Sequence, residues 1–170
     1  MAGIEIERKY IIRLPDVSVL SDREGFTSSE ITQIYLESGT GVTHRVRKRV
    51  YADKTSYTET RKTRIDKMSV IEDEREITEE EYVILSKNVK CGTRPVTKTR
   101  YTLLSDSHVI EIDVYPEWKR TCIMETELSD REEAVRFPDF IKIVEEVTGR
   151  FEYSNASMAR SFPDETDVEE

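Results

Sequence analysis

Charged residues at alternate positions, sorted by sign from segment to segment, constrain this chain more than any other feature. The stretch Glu5-Ile6-Glu7-Arg8-Lys9-Tyr10 reads as a β-strand. Side chains on a strand alternate faces, so Glu5, Glu7 and Lys9 share one wall, with alternate residues about 7 Å apart. Ile4, Ile6 and Tyr10 share the other. Alone, this is an ordinary half-buried strand with its charged face in water. The pattern recurs, however. Arg45 and Arg47, Lys98 and Arg100, Glu74 and Glu76, Glu111 and Asp113, and Glu125 and Glu127 are alternate pairs, and Thr60 and Lys62 are spaced in the same way. A solvated face ordinarily mixes signs, because like charges on one face repel. Here four segments carry paired acids and two carry paired bases.

If these segments curl into a barrel with the charged face inward, the lumen is a charged tunnel. Desolvated, unpaired charge is expensive, so such a lumen requires water and a highly charged ligand. Clustered arginines match phosphate oxygens. Clustered carboxylates match hard cations such as Mg²⁺ or Mn²⁺. A metal-bound polyphosphate satisfies both sets at once.

Composition narrows the rest. At 170 residues the chain suits one domain with a substantial core. A formal net charge of −9 argues against general nucleic-acid binding. No transmembrane or signal-peptide pattern is present, which points to a cytoplasmic protein with no membrane partner. Cys91 and Cys122 lack CxxC spacing and read as reduced thiols. HExxH, GxxxxGK[ST] and GxGxxG are all missing, so neither a zinc site nor a known phosphate loop is expected. His44 and His108 read as solvated or edge positions.

In order, the pattern predicts strands at 4–10, 30–36, 42–50, 56–63 and 70–77, with a loop and a short helical turn over 15–30. Thr78 with Glu81 forms a capping box for a helix carrying Tyr82, Leu85 and Val89, and Gly92 stops it. Strands follow at 96–104, 108–115 and 122–128. Ser129 with Glu132 reads as a second capping box, opening a helix through Phe137. Pro138 interrupts it, and a further helix is expected over 139–147 with Phe140, Ile143, Val144 and Val147 inward. A short last helix is expected within 154–162. The expectation is one α+β domain over 1–162, mainly antiparallel: an eight-stranded closed barrel with peripheral helices. Residues 163–170 read as a frayed acidic tail.

These segments together resemble the CYTH domain, or triphosphate tunnel metalloenzyme, family. Glu5-Ile6-Glu7-Arg8-Lys9 is similar to its ExExK signature. Arg45-Val46-Arg47, Thr60-Arg61-Lys62, Glu74-Arg75-Glu76, Lys98-Thr99-Arg100-Tyr101, Glu111-Ile112-Asp113 and Glu125-Thr126-Glu127 resemble its later strands in order. Gln33 to Leu36 and Tyr153-Ser154-Asn155 are similar to its second strand and C-terminal segment. The resemblance implies a tunnel holding a triphosphate and Mg²⁺ or Mn²⁺. It would make Lys9, Arg45, Arg47, Lys62, Lys98 and Arg100 phosphate-binding residues. It would make Glu5, Glu7, Glu74, Glu76, Glu111, Asp113, Glu125 and Glu127 metal ligands, directly or through water. Lys62 and Tyr35 match a water-activating pair, which suits a lysine whose pKa is lowered by neighbouring cations. Two departures reduce positive charge: Glu72 stands where relatives often carry a base just before the acidic strand, and Ser154 where some do.

The leading expectation is metal-dependent hydrolysis of inorganic tripolyphosphate to pyrophosphate and phosphate. Alternatives are a class IV adenylate cyclase, a thiamine or nucleoside triphosphatase, and a non-catalytic polyphosphate-binding module. Edges of an imperfectly closed barrel would offer a surface for a homodimer, which the sequence leaves open.

Overall fold

The alternation that patterns the sequence closes on itself in space. The computed structural model describes residues 2–169. Among these are nine strands: β1 (Ala2–Arg13), β2 (Thr27–Leu36), β3 (Val42–Tyr51), β4 (Lys54–Arg64), β5 (Ser69–Ile77), β6 (Val96–Ser105), β7 (His108–Val114), β8 (Thr121–Leu128) and β9 (Ile143–Glu146). They run β5-β4-β3-β2-β6-β7-β8-β1, and β5 returns to β1, so eight antiparallel strands form a closed barrel. Closure removes the free edges of an open sheet, except on the side of β1 beyond Ile6, where its pairing with β5 ends. The helices α1 (Val17–Ser21), α2 (Glu79–Leu85) and α3 (Asn155–Arg160), with one 3-10 turn at Phe151–Tyr153, lie around it.

Inward positions change character along each strand. On β1 they run Glu5, Glu7, Lys9 and then Ile11. On β8 they run Glu127, Glu125 and Ile123; on β6, Arg100, Lys98 and Val96; on β7, Glu111, Asp113 and then Tyr115 just past the strand. The apolar ends meet. Ile11, Tyr35, Val96, Tyr115, Ile123 and Val147 pack with Trp118, Tyr153, Met158 and Ala159 into one cluster. Trp118 sits edge-on to Tyr115, Tyr153 and Phe162 at centroid separations of 5.9, 6.3 and 5.6 Å. This apolar mass plugs one end of the barrel interior and leaves the charged positions lining the remainder.

The outward faces are covered in two halves. Tyr10, Ile12, Leu103, Ile110, Ile112, Cys122 and Met124 pack under Leu20 of α1 and Ile141. Leu36, Val46 and Ile77 pack under Tyr82 and Leu85 of α2. The first capping box forms: Glu81 N donates to Thr78 Oγ1 at 3.1 Å, and Thr78 N to Glu81 Oε2 at 2.8 Å. Both cysteines are free.

The region after β8 departs from the sequence reading. No helix forms over 129–137. Ser129 N and Oγ donate instead to Glu133 Oε2, at 2.6 and 2.8 Å, and Glu133 Oε1 is 2.9 Å from His108 Nε2, which ties the turn to the barrel. The expected helix over 139–147 is replaced by β9. Beyond the point where β5 leaves β1, that strand has an open side, and β9 fills it through Tyr10↔Glu146 and Ile11↔Glu145. The apparent helical stripe is split, with Val147 wholly buried and Ile143 47% exposed. The acidic tail has no regular structure but is not frayed. Glu165 Oε1 accepts the backbone N–H groups of Lys119, Arg120 and Thr121 at 3.0, 2.5 and 2.7 Å. Trp118 Nε1 donates to the Pro163 carbonyl at 3.0 Å. The two histidines are buried rather than solvated, at 5% exposure for His44 and 9% for His108.

Candidate functional site

Antiparallel register assembles the charged wall row by row. Tyr35 pairs with Arg45, Arg45 with Thr60 and Thr60 with Glu74 across β2, β3, β4 and β5. Glu111 pairs with Glu125, and Glu125 with Lys9, across β7, β8 and β1. The cavity that these rows line opens to solvent and has a volume of about 730 Å³. Its lining includes Glu5, Glu7, Lys9, Tyr35, Arg45, Arg47, Lys62, Glu74, Lys98, Arg100, Glu111, Glu125 and Glu127. Two other sequence candidates stand elsewhere. Glu76 shares the face of Glu74 one step along β5, but is exposed and outside the lining. Asp113 is fully buried behind the wall.

Most of the cations are matched by carboxylates. Lys9 Nζ is 3.0 Å from Glu125 Oε1 and donates to the Tyr153 carbonyl at 3.2 Å. Arg100 grips Asp113 through Nε at 2.6 Å and Nη2 at 2.7 Å, and Glu111 Oε2 through Nη1 at 2.5 Å. Lys98 Nζ donates to Asp113 Oδ2 at 2.6 Å and to Asn155 Oδ1 at 3.4 Å. Lys62 Nζ lies between Glu5 Oε2 at 2.9 Å and Glu72 Oε2 at 2.7 Å.

Three groups stand apart. Arg45 Nε is buried with no hydrogen-bond partner. Among the described residues, Arg47 finds only the amide oxygen of Gln33, 3.0 Å from its Nε. Burial, with Arg45 and Arg100 nearby, pulls the Arg47 guanidinium down to about 10. Glu7 has no cation within ion-pair distance among the described residues. Burial, then repulsion from Glu125, pushes its carboxyl up to about 7. Among the described residues, one cavity thus holds two guanidinium groups outside any ion pair, and three carboxylates, Glu7, Glu74 and Glu127, outside any ion pair.

Lys62 differs from the sequence expectation. Burial and Arg45 do pull its ammonium down, but Glu5 and Glu72 outweigh them and the net direction is up. The lysine with the loosened proton is Lys98. Burial, with Arg100 and Arg47 adding repulsion, takes it down to about 7 against the pull of Asp113. Glu125 is held well below the usual carboxylate range; burial opposes this, and Lys9, Arg100 and Lys98 overcome it.

Glu72 is a site residue that the sequence reading treated only as a lost base. Its parity with Glu74 already placed it on the inward face. Ser154, the other departure, caps α3 by accepting from Ser157 N at 3.2 Å. Asn155 also lies in the wall, where its Oδ1 accepts from Tyr115 Oη at 2.8 Å. Neither spacing nor parity could mark a residue brought in by a C-terminal helix.

The carboxylates form an all-oxygen donor set, the kind that suits a hard divalent cation. As they stand, no three metal-ligating side chains converge among the described residues. Lysine and arginine lie between them, notably Lys62 between Glu5 and Glu72. The donor chemistry fits such a cation, with Glu7 and Glu127 uncommitted among the described residues.

A second chamber of about 280 Å³ adjoins the tunnel and shares Tyr35, Ser38, Thr43, Lys90, Phe151 and Ala156 with it. Its walls are mainly apolar, and His44 lies in them. His44 Nε2 is 2.7 Å from Glu59 Oε1, while Arg75 holds Glu59 Oε2 through Nε and Nη2 at 2.7 and 2.6 Å. No helix among the described residues is long and apolar enough to cross a membrane.

No family model and no curated protein matches the chain. Solved structures do. The inorganic triphosphatase NE1496 is 28% identical, with 94% of this chain and 96% of that chain covered and a TM-score of 0.58. The PH1819 protein from Pyrococcus horikoshii is 22% identical over 75% of this chain and 80% of its own, at 0.57. A Bacillus halodurans protein solved as a candidate adenylate cyclase is 16% identical over 77% and 83%, at 0.52. The last two likenesses concern the fold alone.

Proposed function

We propose that this chain, a member of the CYTH or triphosphate tunnel family, is a triphosphatase that hydrolyses a triphosphate bound in the charged cavity, with inorganic tripolyphosphate as the leading substrate. The observation that carries this reading is the Arg45–Arg47 pair, which has no carboxylate partner among the described residues and lines the same cavity as Glu7. Buried guanidinium groups without a counter-ion are organised for an anion supplied from outside. The near full-length likeness to an inorganic triphosphatase supports the substrate class.

In this reading Arg45 and Arg47 take non-bridging phosphate oxygens. Lys9, Lys98 and Arg100 add further cationic groups to the lining, and their carboxylate partners fix their positions. Tyr35 and Lys62 flank the phosphate from β2 and β4, with Lys62 acting as a cation. Glu5, Glu7, Glu72, Glu74, Glu111, Glu125 and Glu127 are the residues that would hold Mg²⁺ or Mn²⁺. A bound divalent ion would supply charge neutralisation and an acidified water. The arginines and lysines meet the charge that spreads over the transferred phosphoryl oxygens.

Incubation with tripolyphosphate, ATP or thiamine triphosphate, each with Mg²⁺, Mn²⁺ or EDTA, tests this. Phosphate release that is fastest from tripolyphosphate and lost in EDTA is expected; cyclic AMP with pyrophosphate from ATP would overturn it. A second reading rests on the adjoining chamber. Its apolar walls and the exposed Phe151 ring suit an organic substituent on the triphosphate. A higher kcat/KM for ATP or thiamine triphosphate than for tripolyphosphate would favour it.

A further inference from the structure

Lys62 sits where two inward carboxylates point at each other, one from β1 and one from β5. Its Nζ is 2.9 Å from Glu5 and 2.7 Å from Glu72. Without a cation there, two carboxylates would face each other across a partly buried wall, which is costly. A lysine carries one charge on a flexible four-carbon stem, and this side chain is 26% exposed on the cavity side, so it can leave. A divalent ion brings twice the charge and approaches carboxylate oxygens at about 2.1 Å rather than about 2.8 Å. The two cations compete for the same oxygens.

We propose that Lys62 is a tethered stand-in for a divalent cation: its ammonium occupies the Glu5–Glu72 pair in the metal-free tunnel, and metal loading expels it toward the anion bound by Arg45. The inference rests on the metal-dependent triphosphatase reading of the same cavity. It gives Glu72 a role that a base at this position could not perform. Glu72 holds Lys62 aside when metal is absent and becomes a ligand when metal arrives. Charge balances through the exchange, since the divalent ion neutralises both carboxylates and the released ammonium neutralises phosphate. The tunnel therefore gains full positive charge toward phosphate only with its metal loaded.

The test is metal binding without substrate. Mn²⁺ affinity is read from the free-ion EPR signal at low ionic strength, for the parent, Lys62→Met and Glu72→Gln, each checked for folding by its thermal transition. Lys62→Met should bind Mn²⁺ about fivefold or more tightly than the parent, because its competitor is gone. Glu72→Gln should bind about tenfold more weakly. Independently, the Lys62 side-chain ammonium resonance in the parent, assigned by its loss in Lys62→Met, should shift as Mg²⁺ is added. Equal or weaker Mn²⁺ binding by folded Lys62→Met, an unmoved resonance, or no Mn²⁺ binding by any of the three proteins would each overturn the proposal. Failure of the triphosphatase reading appears separately, as absent phosphate release.

Discussion

Lys98 Nζ lies 2.6 Å from Asp113 Oδ2, and neither side chain reaches solvent. The same carboxylate holds Arg100 through two further bonds, so one buried anion aims two cations at the cavity. Breaking a buried pair from one side leaves uncompensated charge. Asp113→Asn is therefore expected to cost about 3 kcal/mol, read from urea denaturation. Replacing the pair together, as Lys98→Met with Asp113→Leu, should recover only part of that loss, because Arg100 still loses the carboxylate that held it through two bonds. A loss below about 1 kcal/mol in Asp113→Asn would show that the pair is not structural.

Arg47 sets stability against binding. It is half-buried beside Arg45 and Arg100, with an amide oxygen as its hydrogen-bond partner. Arg47→Met removes that repulsion and should leave the melting temperature unchanged or higher. It should also raise KM for tripolyphosphate tenfold or more, a change of about 1.4 kcal/mol or greater. A fall in melting temperature with KM unchanged would contradict both expectations.

Glu7 should make stability depend on pH in a predictable direction. Its carboxyl is raised from an ordinary 4.5 to about 7, by burial first and then by Glu125. Through that window the folded chain binds more protons than the unfolded one, so stability falls as pH rises and levels off above it. In EDTA, Glu7→Gln should raise the melting temperature at pH 8 and have little effect at pH 5. Parallel melting curves for parent and variant across pH 5–8 would refute the assignment.

Two glycines with left-handed backbones should respond unequally to alanine. Gly149 has φ +72°, and a Cβ there would meet Lys67 Cβ at 2.7 Å and the Lys67 carbonyl at 2.8 Å. Gly41 has φ +78° with open space around it. Gly149→Ala adds a clash to backbone strain and should cost about 2 kcal/mol or more in chemical denaturation, against about 1 kcal/mol for Gly41→Ala. Gly149 neighbours Thr148, whose Oγ1 accepts from Lys9 N at 3.0 Å, so its variant should also lower triphosphatase activity.

The barrel and most of its lining were legible because strand parity is a local property. Glu5, Glu7, Arg45, Arg47 and Lys98 face inward for the reason their alternation indicated. What stayed hidden depended on three-dimensional neighbours. Parity puts Glu76 and Glu74 on one face, but only closure decides where the cavity stops. It also identifies Asp113 as inward without revealing that Arg100 and Lys98 enclose it. The lowered pKa foreseen for Lys62 assumed cationic neighbours, and register brought Glu5 and Glu72 instead. Residues 139–147 carry helical spacing, yet Ile143–Glu146 form a strand, because hydrogen bonds to the open side of β1 outweigh a short amphipathic pattern.

The way β1 is paired sets an order on folding. Its early residues bond to β5, with Ile4 opposite Ile71, and its later ones to β8, with Lys9 opposite Glu125. β1, made before the other eight strands, thus acquires its second barrel neighbour only after β8 has been made. Until then, Glu7 and Lys9 lack the wall that completes them, and every β1–β8 contact spans most of the chain. Such long-range closure slows folding. The seam between β1 and β8 is therefore where a stalled or truncated chain would be left open to strand exchange with a second copy.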